Sequence, residues 1–211
     1  MIQKRLIKVF SQRGMPQWIK VDNGLPLGDP NQETPPVLAL WLISLGIEMI
    51  WNRPRQPRDN AKVERKQAVL FQWVEAHKRI DHMCLQRQLD QVIYFHNHQY
   101  PVQRLNRLTR ARAFPELAQH SERIFEPKME QLKPVLNCLA RREWIRTVSK
   151  KGQLNLFNQR FQVGAHLAHQ QIRVSLNPEK NLWQVFDHQG KWMKNLPTPF
   201  KIKAIRNLKL T

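Results

Sequence analysis

Two carboxylates stand where an acidic side chain can do chemistry. Asp22 opens Asp22-Asn23-Gly24, directly after the run Trp18-Ile19-Lys20-Val21. A carboxylate at a strand end is held by the sheet yet faces an open crevice. The plainer alternative is an Asx turn, in which Asp-Asn-Gly only reverses the chain. Glu64 closes the run from Asn52 through Arg53-Pro54-Arg55-Gln56-Pro57-Arg58-Asp59-Asn60-Ala61-Lys62-Val63, with Arg65 behind it. Asn60 is placed to cap a helix, which fixes Glu64 one turn inside. The plainer alternative here is a solvated first-turn carboxylate favoured by the positive end of the helix. That explains the charges around Glu64 but not the proline-rich entry.

The elements that must position these residues follow from periodicity and breakers. Ile2–Phe10 has apolar residues at helical spacing, ended by Gly14 and Pro16. Trp18–Val21 reads as a strand, Asp22–Pro36 as a loop rich in Gly, Pro, Asn and Asp, and Val37–Leu45 as an apolar helix stopped by Gly46. Ile47–Trp51 alternates as a strand does, and Asn52–Asp59 is a second loop. A helix is predicted from Asn60 towards Ile80, and another over Leu85–His98. This alternation predicts an α/β layer whose sheet is buried by helices. Two strands are too few for an independent sheet, so the core of residues 1–105 reads as incomplete. Residues 106–142 read as a helical connector. From Glu143 to about 200, short β-forming runs are separated by Lys151-Gly152, Asn158-Gln159, Asn177-Pro178 and Gln189-Gly190, the pattern of a small antiparallel barrel. Residues 201–211 read as a loosely ordered basic tail.

Charge narrows the partner. The 211 residues hold 35 Lys and Arg against 16 Asp and Glu, a net charge of +19, and a pI near 10.7. Such a chain is expected to bind a polyanion, with steep salt dependence. A membrane span is excluded on the longest apolar run, Pro35–Ile50, which Ser44, Gly46 and Glu48 interrupt. No long apolar stretch follows Lys4, Arg5 and Lys8, so no signal peptide is predicted. Cys84 and Cys138 form no CxxC pair, which fits a reducing cytosol without disulfides or zinc fingers. His96/His98 and His166/His169 are weak metal-pair candidates without cysteine companions. Trp41, Trp51, Trp73, Trp144, Trp183 and Trp192 are expected in cores, with base stacking the alternative. Lys150, Lys151, Lys201, Lys203 and Arg206 are candidate phosphate contacts.

Together the two carboxylate motifs are far more specific than either alone. An apolar residue before Asp-Asn-Gly, an apolar helix, a Gly-Ile strand, then Arg-Pro-x-x-Pro-x-x-Asn-Ala-x-Val-Glu-Arg resembles the catalytic core of the retroviral-integrase superfamily. More narrowly, it resembles bacterial insertion-sequence (DDE) transposases. The resemblance implies an RNase H-like core followed by an SH3-like barrel, and a metal-binding triad of two Asp and one Glu. On motif position Asp22 is the second Asp and Glu64 the Glu, both catalytic and both ligands of Mg²⁺ (or Mn²⁺). It implies phosphoryl transfer on DNA, in which two metal ions clamp the attacking and leaving oxygens. Arg53, Arg55, Arg58, Asn60, Lys62, Arg65, Lys150 and Lys151 would hold the DNA. Partners would be transposon ends and target, with a second copy or a full-length transposase, in the bacterial cytosol at the nucleoid.

The sequence departs from the family pattern in two places. The 41 residues between Asp22 and Glu64 exceed the commonest spacing, and the Gly24–Pro36 loop is expected to hold the excess. The triad's first Asp belongs on an earlier strand, yet no Asp or Glu precedes Asp22. Asp29, Glu33, Glu48 and Asp59 have the wrong element order to replace it. The expectation is an N-terminally truncated core, weakly active or inactive. The alternative is a non-catalytic DNA-binding remnant or a regulator of the full-length enzyme. A generic RNA-binding protein comes third.

Overall fold

The computed structural model describes residues 2–29, 32–74, 81–118 and 122–209. Two compact units emerge from the contacts. One combines Met1–Ser11, Met15–Trp51 and Phe125–Thr211; the other holds Gln12–Gly14 and Asn52–Ile124.

In the first unit, α1 (Ile2–Arg13) leads to β1 (Trp18–Val21), which pairs in parallel with β2 (Glu48–Trp51). Between the strands runs α2 (Val37–Ser44). Its sequence, VLALWLIS, has no polar face, and a helix apolar all round must be covered all round. Residues Leu38 through Leu42 are all buried, with Ala39, Leu40 and Trp41 at 0% exposure. The cover comes from β2, from α6 (Leu132–Ala140) and from α7 (Ile202–Arg206). Phe10 stacks on Trp41 at 6.4 Å and Phe125 tilts against it at 6.4 Å. At the polar end, the Ser44 hydroxyl donates to the Trp41 carbonyl at 2.6 Å, and the Gln131 N–H donates to the Ser44 carbonyl at 2.8 Å.

The rest of this unit is antiparallel. Strands β3 (Glu143–Thr147), β6 (Gln171–Asn177), β7 (Leu182–Phe186) and β8 (Trp192–Pro197) form a sheet in the order β3-β6-β7-β8. A separate hairpin pairs β4 (Gln153–Leu156) with β5 (Gln159–Gln162). Its two-residue loop has φ of 47° at Phe157 and 62° at Asn158, the paired positive φ of a type I′ turn. Alternation puts Ile172, Val174, Leu176, Trp183 and Val185 inside. Against them sits an aromatic cluster, with Trp144–Trp183 at 5.1 Å, Phe157–Phe200 at 5.0 Å and Trp183–Phe200 at 5.6 Å.

The expectation of a loosely ordered tail from residue 201 is overturned up to Lys209. Helix α7 forms because Phe200 and Ile205, both 0% exposed, anchor its two ends in the core. Arg206 also donates to the Glu130 carboxylate at 2.8 Å. Glu130 is buried, and a buried carboxylate left unpaired would be costly.

The second unit is helical. Its main elements are α3 (Ala61–Val74), α4 (His82–His98) and the short α5 (Arg110–Ala113). The Asp81 carboxylate caps α4, accepting from the N–H groups of Met83 at 2.8 Å and Cys84 at 3.1 Å. The predicted extension of the first of these helices over residues 75–80 lies outside the described residues. Val74 is the one fully buried large apolar side chain among the described residues of this unit. Among the described residues of the chain no helix is long and apolar enough to cross a membrane.

Removing the Phe200 ring leaves a cavity beneath Phe157 and Trp183. Phe200→Ala is expected to lower the unfolding free energy by about 3–5 kcal/mol, read as a reduced urea midpoint at unchanged slope.

Candidate functional site

Asp22 follows β1 directly, as its motif predicts. It is exposed, and its Oδ1 accepts from the Asn23 N–H at 2.9 Å. The chain then closes a small loop, in which Leu27 and Gly28 N–H groups donate to the Gly24 carbonyl at 3.1 and 2.7 Å. Gly28 must be glycine: at φ +75° a Cβ would lie 2.7 Å from the Pro36 ring. The Trp51 indole donates to the Leu27 carbonyl at 3.4 Å, tying the loop to the end of β2. Further along, the Glu33 carbonyl accepts from the Trp144 indole at 3.0 Å, and the Glu33 carboxylate pairs with Arg146. The long Gly24–Pro36 segment is thereby docked on β3, and Glu33 is engaged structurally.

Glu64 sits in the first turn of α3, exposed, with no ion pair or side-chain hydrogen bond among the described residues. The carbonyl of Asn60 receives the N–H groups of Val63 at 2.9 Å and Glu64 at 3.1 Å, so Asn60 starts the helix as expected. The entry loop is closed by Arg53. Its guanidinium donates twice to Asp59, at 2.8 and 3.1 Å, and its backbone N–H donates to the same carboxylate at 3.0 Å. This bidentate pair raises the Arg53 pKa, through hydrogen bonding first and charge second. Arg53 thus staples the proline-rich loop. Arg55, Arg58, Lys62 and Arg65 are exposed with no carboxylate partner among the described residues.

The two carboxylates fall on different units, Asp22 on the first and Glu64 on the second. Among the described residues no three His, Cys, Asp or Glu side chains gather as a metal ion would need. Mg²⁺ takes several hard oxygen ligands, and Asp22 and Glu64 supply only two of the three carboxylates that the motif implies. The residues present therefore do not fit the ion that the motif implies. Lys150 and Lys151 occupy the exposed turn between β3 and β4, where the Gly152 N–H donates to the Ser149 carbonyl at 2.8 Å.

The His96/His98 pair makes ring contacts within the second unit. His98 stacks on Tyr94 at 4.7 Å. His96 lies among Trp73, Tyr100 and Arg110. Trp73 is 37% exposed and Trp192 is 53% exposed, so neither is the core residue that was expected, while Trp41, Trp144 and Trp183 are buried. The Trp73 cluster lies outside the carboxylate motifs. A usable signal was the stretch from Gln91 to Pro115, which has four arginines, four aromatics and no acid. In the first unit an open cleft of about 430 Å³ is lined by Thr34, Arg146, Asn155, Phe157, Asn158 and Arg160. No protein-family model matches the chain.

Partial burial, and then the positive charges of Arg110 and Lys66, hold the His96 imidazole below its ordinary value against the opposing Asn97 contact. In the unfolded chain His96 takes up a proton near 6.5; in the folded chain it resists until lower pH. Its contribution to stability is therefore complete above about 6.5 and is lost as pH falls below that value. Helix stability, followed by circular dichroism, should fall with acidification, and His96→Gln should flatten that dependence.

Proposed function

We propose that the chain is a DNA-binding protein of the transposase and integrase type, with an RNase H-like first region and an SH3-like second. The parental activity is metal-dependent DNA cleavage and joining, and DNA binding is the part this chain performs. One observation carries the reading: the order of elements agrees with the motif order. Asp22 follows β1, α2 leads to the parallel partner β2, a stapled proline-rich loop follows, and α3 carries Glu64 in its first turn amid cations that have no carboxylate partner among the described residues. The net charge of +19 supplies the attraction to phosphate. Asp22 and Glu64 mark the positions at which the parental enzyme would hold Mg²⁺ or Mn²⁺. Since two carboxylates leave the donor set of Mg²⁺ incomplete, no turnover is assigned to this chain. Its proposed place of action is the bacterial cytosol, on transposon ends and target, where it would compete with or accompany a full-length transposase.

The test combines affinity and turnover. Duplex binding should show little sequence preference, with log K falling against log salt by about 0.9 per phosphate neutralised and a total slope steeper than about −4. A flat salt dependence, or robust joining of transposon-end DNA by this chain in Mg²⁺ or Mn²⁺, would overturn the proposal.

A further inference from the structure

The second unit carries an arrangement that the carboxylate motifs do not explain. Trp73 of α3 meets Phe95 and His96 of α4 at 5.8 and 5.6 Å, and Tyr100 just beyond α4 at 5.6 Å. Such a cluster would be a core in most domains. Here Trp73, Phe95 and Tyr100 keep 37%, 44% and 42% exposure, so solvent reaches their rings. Alpha-helix α4 contributes no buried residue at all.

The surroundings are cationic. Arg110 donates to the His96 carbonyl at 2.8 Å and lies over the Tyr100 ring at 6.0 Å. Partial burial, and then the positive charge of nearby Arg104, lower the pKa of Arg110. Arg104, Arg107 and Arg112 are exposed, with no carboxylate partner among the described residues. Their loop is held in shape by left-handed φ values of 53° at Asn106 and 61° at Arg107. It is closed by the Arg107 N–H donating to the Val102 carbonyl at 3.1 Å. A purely apolar partner would leave these arginines uncompensated. A second copy of the chain would bring like charge against like charge, since residues 52–124 hold 14 Lys and Arg against 7 Asp and Glu.

We propose that the half-exposed rings of Trp73, Phe95 and Tyr100 form a stacking site for unpaired bases of single-stranded nucleic acid, whose backbone Arg104, Arg107 and Arg112 hold. Half-exposed aromatic rings beside cations that have no carboxylate partner among the described residues suit a flexible strand, because every base has a π face and every step a phosphate. A duplex keeps its bases stacked inside and could use only the arginines. The inference shares with the proposed function the premise that nucleic acid is the partner, but it rests on a different surface.

Fluorescence anisotropy of the full chain with labelled oligo-dT and with a duplex of equal length tests it. Phe95→Leu and Tyr100→Leu keep apolar volume while removing a ring. Each should weaken oligo-dT binding about tenfold and leave duplex binding nearly unchanged. The surface double variant Arg104→Gln/Arg107→Gln, which touches no core contact, should weaken oligo-dT binding and make its salt dependence shallower. Equal loss for both ligands in the ring variants, or no change in oligo-dT binding in either set, would overturn the stacking site. Tight duplex binding with no oligo-dT binding would overturn it and leave the proposed function standing. Failure to bind either ligand would overturn both.

Discussion

Helix α2 has to be covered on every side, and much of the first unit follows from that. Eight residues without a charged side chain cannot meet water on any face, so β2, α6, α7, Phe10 and Phe125 all converge on them. Burying side chains of the Leu and Trp class contributes on the order of 2 kcal/mol each. That drive joins segments separated by more than seventy residues of intervening chain. It also fixes where Asp22 lies. Beta-strand β1 is held beside β2, β2 packs on α2, and the loop after Asp22 is tied to Trp51 and docked by Trp144 and Arg146. The carboxylate is exposed, while the backbone that carries it is anchored at several points.

Much of the element pattern was legible in the sequence because its signals are local. The alternation of Trp18–Val21 and of Gln171–Leu176, the apolar run of α2 and the turn residues around Gly152 and Asn158 act within a few positions. Grouping was not legible. Nothing local in Phe125–Ala140 announces that it packs on a helix near residue 40, since any amphipathic helix could do so. Alpha-helix α6 even carries Pro134, which is tolerated because it falls in the first turn, where its missing N–H has no helical partner. The order of the tail was missed for the same reason. Lys201, Lys203 and Arg206 dominate its composition, yet Phe200 and Ile205 decide its position.

The candidate site shows a similar division. Motif spacing gave the places of Asp22, Asn60 and Glu64, because strand ends and helix starts are local features. It did not show that Arg53 is held by Asp59, nor that Glu33 is held by Arg146, because those pairs depend on how loops close. The cations without carboxylate partners among the described residues, namely Arg55, Arg58, Lys62 and Arg65, are where an outside polyanion would gain most. A compensated guanidinium has its charge-assisted bonds already made; an uncompensated one exchanges only water for phosphate.

The proposed function implies that Asp22 and Glu64 would each lie near phosphate in a complex with DNA. Its most direct measurement is the affinity of Asp22→Asn and Glu64→Gln for duplex DNA without divalent cations. A control, Glu116→Gln, removes the same charge from another exposed position. A carboxylate held near phosphate costs on the order of 1 kcal/mol at about 4 Å in water. Each site variant should therefore bind DNA severalfold tighter, and the control should bind almost unchanged. If all three variants gain equally, the carboxylates matter only through net charge and the claim is contradicted.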